Sequence, residues 1–212
     1  MLRFVSRKDY REMTFVETRL IASNSRVSQD QQARSIASLQ EEFGRFFLVP
    51  EGGANGLGVR GCAEILPEVE EDFDVVCCPA GTGTTLAGLA LTLKEDQNLL
   101  GFPALKGGEF LQEEVERLME ESRLRPQSTV NFQLITDYHF GGYAKMTPEL
   151  LAFINGFQKR TGIPLDPIYT GKMTFGIYDM IQKGRFKKGT TILAIHTGGL
   201  QGWQGMKHRA LI

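Results

Sequence analysis

The stretch "VVCCPAGTGTTLAGLALTL", residues 75–93, decides the fold of this chain. It opens with an apolar run that lacks polar alternation, as expected of a parallel strand covered on both faces. A loop of Gly, Ala and Thr follows, and the chain then continues as an Ala- and Leu-rich segment. The stretch therefore predicts a strand, a glycine-rich turn and a helix, the repeating unit of α/β proteins.

The alternation of strand and helix continues along most of the chain. "NLLGFPAL", "TVNFQLITDYHF" and "TTILAIHTGG" predict strands, and "RFFLVPEGG", residues 45–53, predicts a brief additional one. "TPELLAFINGFQKRTG" predicts a helix with Thr147 as N-cap and Pro148 at its first position. We expect a three-layer α/β/α fold around a mostly parallel sheet.

Composition favours a protein that acts on a small molecule. The 212 residues include 24 Lys and Arg against 25 Asp and Glu, a formal net charge of −1. This balance gives no electrostatic reason to expect nucleic acid or an anionic membrane as a partner. The longest apolar run is far below the ~18 residues that a membrane span needs.

The cysteines predict no metal or redox site. Cys62, Cys77 and Cys78 lack the Cys-x-x-Cys spacing, and the adjacent pair lies in a strand that we expect to be buried. Reduced core thiols of a cytoplasmic protein are the preferred interpretation, and no metal ligands are assigned.

Three glycine-rich segments, "PEGGANGLG", "PAGTGTT" and "HTGG", fall where ligands bind in parallel α/β sheets, beyond the carboxyl ends of the strands. In the second, Gly81 and Gly83 let the backbone approach an anion, and the next helix points its free N–H groups at the loop. A phosphate cradle is favoured over a plain strand-to-helix turn. The segment is not a Walker A loop, because the nearest following lysine is Lys94.

Two further residues have open interpretations. Tyr169, in "LDPIYTGK", is equally compatible with a core aromatic and with a functional residue above the sheet. For His196, in "HTGG", a satisfied and partly buried imidazole is the preferred interpretation.

Taken together and in this order, "PEGGANGLGVRG", "CPAGTGTTLAG", "LDPIYTGK" and "ILAIHTGG" resemble one family of enzymes. These are the pyridoxal-phosphate-dependent 1-aminocyclopropane-1-carboxylate deaminases and D-cysteine desulfhydrases. The resemblance implies the tryptophan-synthase-β-like fold (fold type II), with pyridoxal 5'-phosphate as cofactor and a small amino acid as substrate. We also expect a homodimer.

The resemblance implies roles for individual residues. The match to the loop around the cofactor phosphate covers Thr82, Gly83, Thr84 and Thr85. Tyr169 matches the active-site tyrosine, and Tyr143, in "GGYAKMTPE", matches a second tyrosine over the substrate. Thr170 and Thr197 match positions near the pyridine nitrogen.

Thr170 separates the two activities of the family. The resemblance implies a Glu here in ring-opening deaminases and a Thr in desulfhydrases. A neutral hydroxyl makes the cofactor a weaker electron sink than a carboxylate would, and elimination of sulfide tolerates this. The desulfhydrase type is therefore favoured.

The family's Schiff-base lysine lies in Gly-Asn-Lys and Ser-Asn-His-like contexts, and neither occurs here. We therefore expect residues 1–45 to be a remnant of the small domain and residues 46–212 to be the large cofactor-binding domain. A fragment, a misassigned start and a truncated gene remain alternative explanations. A catalytically inactive fragment, or a phosphate-ligand-binding protein of the same fold, is the alternative function.

Overall fold

A computed structural model describes residues 2–5, 36–42, 44–45 and 47–208. Within them, five strands form one sheet in the order β1-β5-β2-β3-β4, and every neighbouring pair is parallel. The predicted parallel sheet is confirmed. The strands are β1 Leu2–Val5, β2 Val75–Ala80, β3 Asn98–Pro103, β4 Phe132–Leu134 and β5 Ile192–Ile195.

Helices occupy most of the connections between these strands. The described part of the first, α1, covers residues 36–42. The others are α2 Gly56–Cys62, α3 Thr84–Leu91, α4 Leu111–Ser122, α5 Pro148–Thr161, α6 Thr170–Gln182 and α7 Gly202–His208. None of the helices described is both long and apolar enough to cross a bilayer.

The side chains of β2 alternate between two hydrophobic layers, as the period of two in a strand requires. Val76 and Cys78 pack with residues of α2, α3 and α4, whereas Val75 and Cys77 pack against α6. The sheet is thus covered on both faces, which confirms the three-layer α/β/α fold. Because Cys77 and Cys78 point to opposite faces, they stay free thiols.

Helix α5 begins and ends as the sequence predicts. The hydroxyl of Thr147 accepts a hydrogen bond from the Leu150 amide at 3.2 Å, and Pro148 occupies the first helical position. Gly162 ends the helix with a φ of +75°, a conformation that glycine adopts without steric cost. The helix packs against α6, where Phe153 and Phe157 contact the ring of Tyr178.

The strand predicted in residues 45–53 is wrong. Residues 47–50 pair with no strand of the sheet, and Glu51–Gly53 forms a 3-10 turn. Phe47 and Val49 are 68% and 66% exposed. An apolar run predicts a strand only where a neighbouring strand can pair with it, and none of the described strands lies beside this run.

The first strand belongs to the same sheet as the rest of the described chain. In the register of β1 on β5, Phe4 lies opposite Ala194. Part of the segment 1–45 therefore joins the sheet that residues 46–212 build. The domain division at residue 45 stays a prediction.

Candidate functional site

The strand order places a ligand crevice between β2 and β5. From β2 the chain proceeds outward to β3 and β4, while β5 returns to the opposite side of β2. Loops that leave neighbouring strands in opposite directions open a crevice at their carboxyl ends. The loops that diverge here are residues 81–85 after β2 and residues 196–199 after β5.

Residues 81–85, which we call the cradle, have the geometry of an anion site. Gly83 is the N-cap of α3, with a φ of +85° and no side-chain cap. The first N–H groups of α3 consequently face the loop without helical partners. The loop and its flanks, residues 79–86, enclose about 40 Å³. That is room for roughly three water-sized groups.

The threonines of the cradle have different surroundings. The hydroxyls of Thr82 and Thr84 lie 3.1 Å apart and hydrogen-bond to each other. The hydroxyl of Thr85 instead lies 3.9 Å from the Cys62 thiol. A Cβ on Gly52 would lie 2.5 Å from the Thr82 hydroxyl, so the turn before α2 closes over this side of the cradle. Thr82 and Thr84 are thus the better placed of the three to supplement the backbone donors.

Tyr169 lies directly against the cradle. A Cβ on Gly81 would lie 3.1 Å from the Tyr169 hydroxyl, so glycine is needed for this approach. The Tyr143 ring meets the Tyr169 ring edge to face, with centroids 6.0 Å apart. Burial, together with the neighbouring Tyr143 hydroxyl, raises the pKa of Tyr169 above its ordinary value. Tyr169 is therefore neutral at neutral pH.

Asp166, a residue that the sequence did not single out, organises the turn that carries Tyr169. Its fully buried carboxylate accepts the amides of Ile168, Tyr169 and Thr170 at 2.8, 2.7 and 2.8 Å. It also accepts the Thr170 hydroxyl at 2.5 Å. The hydroxyl in turn accepts the Asp166 amide at 2.9 Å. Thr170 is therefore 1% exposed, and its hydroxyl is engaged within the turn.

Lys172 is the second residue that the sequence argument left out of the site. It lies one turn into α6 and is 2% exposed. Its ammonium donates to the carbonyl oxygens of Ala104, His139 and Gly142 at 3.2, 2.9 and 2.7 Å. Burial lowers the pKa of Lys172 to about 8, and Asp166 partly opposes this shift. Residue spacing indicates neither role. The carbonyl groups that Lys172 binds are distant in sequence, and the amides that Asp166 binds belong to the backbone, which no pattern of side chains reports.

The loop after β5, residues 196–199, lies beside the turn that Asp166 organises. Thr197 is exposed, and a Cβ on Gly199 would lie 3.4 Å from the Asp166 carboxylate. His196 accepts the Gly198 amide at Nδ1, so Nε2 carries the proton and donates to the Pro164 carbonyl at 2.8 Å. The interpretation of His196 as a satisfied imidazole is confirmed.

The structure thus brings the predicted site residues together in two groups. The cradle adjoins the Tyr143–Tyr169 pair directly, and Gly199, two residues after the exposed Thr197, adjoins the turn that Asp166 organises. Thr170 belongs to the second group through its bonds to Asp166 rather than through an exposed hydroxyl.

Fold and site together define a doubly wound α/β domain with a glycine-rich loop, the cradle, at its switch point. Residues 5–198 match the family model described as "Pyridoxal-phosphate dependent enzyme". The chain therefore belongs to the pyridoxal-phosphate-dependent enzyme family. The tryptophan-synthase-β-like fold expected from the resemblance is confirmed as well.

Three similar proteins are informative. A protein of Pyrococcus horikoshii named as a candidate 1-aminocyclopropane-1-carboxylate deaminase is 35% identical over 203 residues, which cover 88% of this chain and 60% of the relative. The mitochondrial bifunctional D-cysteine desulfhydrase/1-aminocyclopropane-1-carboxylate deaminase of Arabidopsis thaliana is 30% identical over 212 residues, covering 87% of this chain and 51% of the relative. The crystal structure of an ACC deaminase homologue superposes with a TM-score of 0.73 at 33% identity, covering 93% of this chain and 63% of that chain.

These matches confirm the resemblance to deaminases and desulfhydrases. The chain spans 60% and 51% of the length of the two curated relatives.

Proposed function

We propose that this chain supplies the cofactor-binding part of a deaminase or lyase that acts on a small amino acid. One observation carries the proposal: the cradle and Tyr169 touch at the switch point of the sheet, through Gly81. A phosphate held by the cradle would place the rest of the cofactor beside a phenol that retains its proton.

The residues present fit the phosphate of pyridoxal 5'-phosphate. Free N–H groups at the start of α3 are preorganised donors, and the hydroxyls of Thr82 and Thr84 adjoin them. Each charge-assisted hydrogen bond of this kind contributes roughly 1.5–3 kcal/mol. When bound, the cofactor supplies a ring that withdraws electrons from the substrate.

Tyr143 and Tyr169 form the substrate side of the proposed site. Tyr143 is 50% exposed, and its hydroxyl is a hydrogen-bond partner of Tyr169, so the pair can face an incoming amino acid together. Because its pKa is raised, Tyr169 stays neutral and can donate a hydrogen bond to a substrate carboxylate. We assign both tyrosines to substrate orientation and proton transfer.

The desulfhydrase type remains the favoured reaction, with D-cysteine as the preferred substrate. The side chain at position 170 is uncharged and is bonded to Asp166. This supports a cofactor ring that receives no additional electron-withdrawing strength from a carboxylate at position 170. Deamination of D-cysteine, which eliminates sulfide, needs less carbanion stabilisation than cyclopropane opening does.

The Schiff-base lysine is proposed to lie outside this chain. Among the described lysines, Lys172 is closest in sequence to Tyr169, and it is occupied by three carbonyl oxygens. An amine held in this way is not free to attack an aldehyde. We also propose that the enzyme forms a homodimer. This proposal, like that of the substrate, comes from the resemblance to the family.

Substrate preference is tested after the N-terminal segment that carries the lysine in the family has been restored to this chain. We expect pyruvate formation from D-cysteine to exceed 2-oxobutanoate formation from 1-aminocyclopropane-1-carboxylate. Thr170→Glu should move the ratio toward ring opening, and Thr170→Ser, which keeps the hydroxyl, should leave it unchanged. Faster ring opening by the unaltered enzyme would contradict the assignment.

A phosphate-ligand-binding protein without catalysis is the second candidate, because the cradle is complete without any lysine. The two candidates differ in their absorbance. A covalent cofactor gives a visible band that borohydride bleaches, whereas a bound phosphate compound without an imine gives none.

A further inference from the structure

Tyr143 is carried by a loop whose backbone is strained, residues 139–145, which we call the tyrosine loop. Phe140 and Ala144 have φ values of +53° each, and Gly141 and Gly142 have +95° and +123°. Residues other than glycine rarely adopt such angles, because the Cβ then crowds the backbone. The loop therefore needs outside support to hold this shape.

The loop is built from two consecutive turns. The Gly142 amide donates to the His139 carbonyl at 3.0 Å, and the Lys145 amide donates to the Gly142 carbonyl at 3.1 Å. The two turns share Gly142, and Tyr143 is the second residue of the second turn. The position of its ring consequently depends on the two carbonyl groups that close the turns.

Lys172 donates to both of these carbonyl oxygens, at 2.9 Å to His139 and 2.7 Å to Gly142. Its third N–H group reaches the Ala104 carbonyl, in the loop directly after β3. All three donors of the ammonium are thereby used. The buried ammonium of Lys172 thus links the two turns of the tyrosine loop to the carboxyl end of β3.

The same lysine belongs to the helix that carries Tyr169. Tyr169 is the N-cap of α6, and Lys172 follows it by three residues, about one helical turn. The backbone that sets the Tyr169 ring and the ammonium that sets the tyrosine loop therefore belong to one rigid turn. Asp166 fixes that turn from its other side.

We propose that Lys172 is a positioning residue that sets Tyr143 against Tyr169 and so determines the shape of the substrate side of the site. The inference rests on the proposed function for the roles of the two tyrosines. Its geometric part, that Lys172 controls the spacing of the two rings, is tested without substrate or cofactor.

The test uses the chain labelled with ¹³C in its tyrosine rings and assigned by single Tyr→Phe changes. Lys172→Met keeps the apolar stem and removes all three donors. We expect the Tyr143 and Tyr169 signals to shift while that of Tyr178 stays in place. Amides of the tyrosine loop should exchange about tenfold faster or more, because the two hydrogen bonds from Lys172 to this loop are lost. Lys188→Met, at an exposed lysine, is the matched control and should change neither observable.

A second variant covers the case in which Lys172→Met does not fold. Gly142→Ala strains the backbone at a φ of +123° and meets no atom closer than 3.8 Å. It therefore displaces the Gly142 carbonyl and leaves the buried ammonium in place. The same two tyrosine signals should shift. Unmoved tyrosine signals in a folded Lys172→Met protein, or in Gly142→Ala if the first variant is unfolded, would overturn the proposal.

Inorganic phosphate titrated into the same samples separates this inference from the proposed function. We expect phosphate affinity at the cradle to be equal in the unaltered chain and in Lys172→Met. Failure of the unaltered chain to bind phosphate counts against the proposed function and leaves the tyrosine result standing. Loss of phosphate binding in Lys172→Met alone would show that Lys172 acts on the cradle, which contradicts a role confined to the tyrosines.

Discussion

Asp166 and Thr170 close a ring of three hydrogen bonds at the start of α6. The Thr170 amide and hydroxyl donate to the Asp166 carboxylate at 2.8 and 2.5 Å, and the Asp166 amide donates back to the hydroxyl at 2.9 Å. Both side chains are buried. These hydrogen bonds therefore fix the direction in which the Tyr169 side chain projects from the start of α6.

The coupling between these two residues is measurable as a double-mutant cycle. Asp166→Asn places an amide donor among buried donors, and Thr170→Val removes the hydroxyl. We expect each change to lower the free energy of unfolding by about 2–3 kcal/mol, with an interaction energy of about 1–2 kcal/mol. Urea denaturation provides the measurement, and Asp96→Asn at an exposed carboxylate is the control. Additive losses would contradict the ring.

Gly83→Ala should weaken both the fold and the cradle. A side chain at a φ of +85° is strained, and its Cβ would lie 3.0 Å from Val115. We expect a loss of about 1–2 kcal/mol in stability and about tenfold in phosphate affinity. Gly61→Ala, inside α2 and with no atom within 4 Å, is the matched control and should be neutral or stabilising by up to about 1 kcal/mol. Equal effects of the two changes would contradict the assigned role of Gly83.

Stability should fall as pH rises above about 8.5, where an unfolded cysteine loses its proton. Burial raises the pKa values of Cys77 and Cys78, so the folded chain retains protons that the unfolded chain releases. Each thiol then lowers stability by up to about 1.4 kcal/mol per pH unit. Lys172, with its pKa lowered to about 8, opposes this trend between roughly pH 8 and 10.

The measurement is the free energy of unfolding between pH 7 and 10 for the unaltered chain and for the double variant Cys77→Ala/Cys78→Ala. The decline above pH 8.5 should become markedly shallower in the variant. Parallel curves would show that these thiols do not carry the effect.

This chain should form no stable imine with pyridoxal 5'-phosphate at the site. The family's lysine context is missing from the sequence, and Lys172 is held by three carbonyl oxygens. Borohydride reduction followed by peptide mass mapping provides the measurement. A stoichiometric pyridoxyl group on one lysine, whose formation is prevented by inorganic phosphate added before the reduction, would contradict this expectation.

Features with a local physical cause were predictable from the sequence. Thr147, Pro148 and Gly162 set the ends of α5, and the apolar β2 followed by the glycine turn set the cradle. The strand predicted at residues 45–53 was wrong, because strand formation depends on a neighbouring strand, which no local sequence pattern reports.

The roles of Asp166 and Lys172 were not predictable for a related reason. Asp166 could be expected to form a turn, as an Asp-Pro pair often does. Its complete burial, and the convergence of three distant carbonyl groups on Lys172, arise only in the folded chain. The surroundings of Thr170 follow from Asp166 and were missed with it.

The most direct test of the central claim, that residues 81–85 hold the phosphate of the cofactor, compares 4-deoxypyridoxine 5'-phosphate with 4-deoxypyridoxine by calorimetric titration. Neither compound has an aldehyde, so neither forms an imine with a lysine. We expect the phosphate compound to bind at least about tenfold more tightly, inorganic phosphate to compete with it, and Gly83→Ala to abolish the difference. Equal affinities for the two compounds, or a preference that survives in Gly83→Ala, would contradict the account.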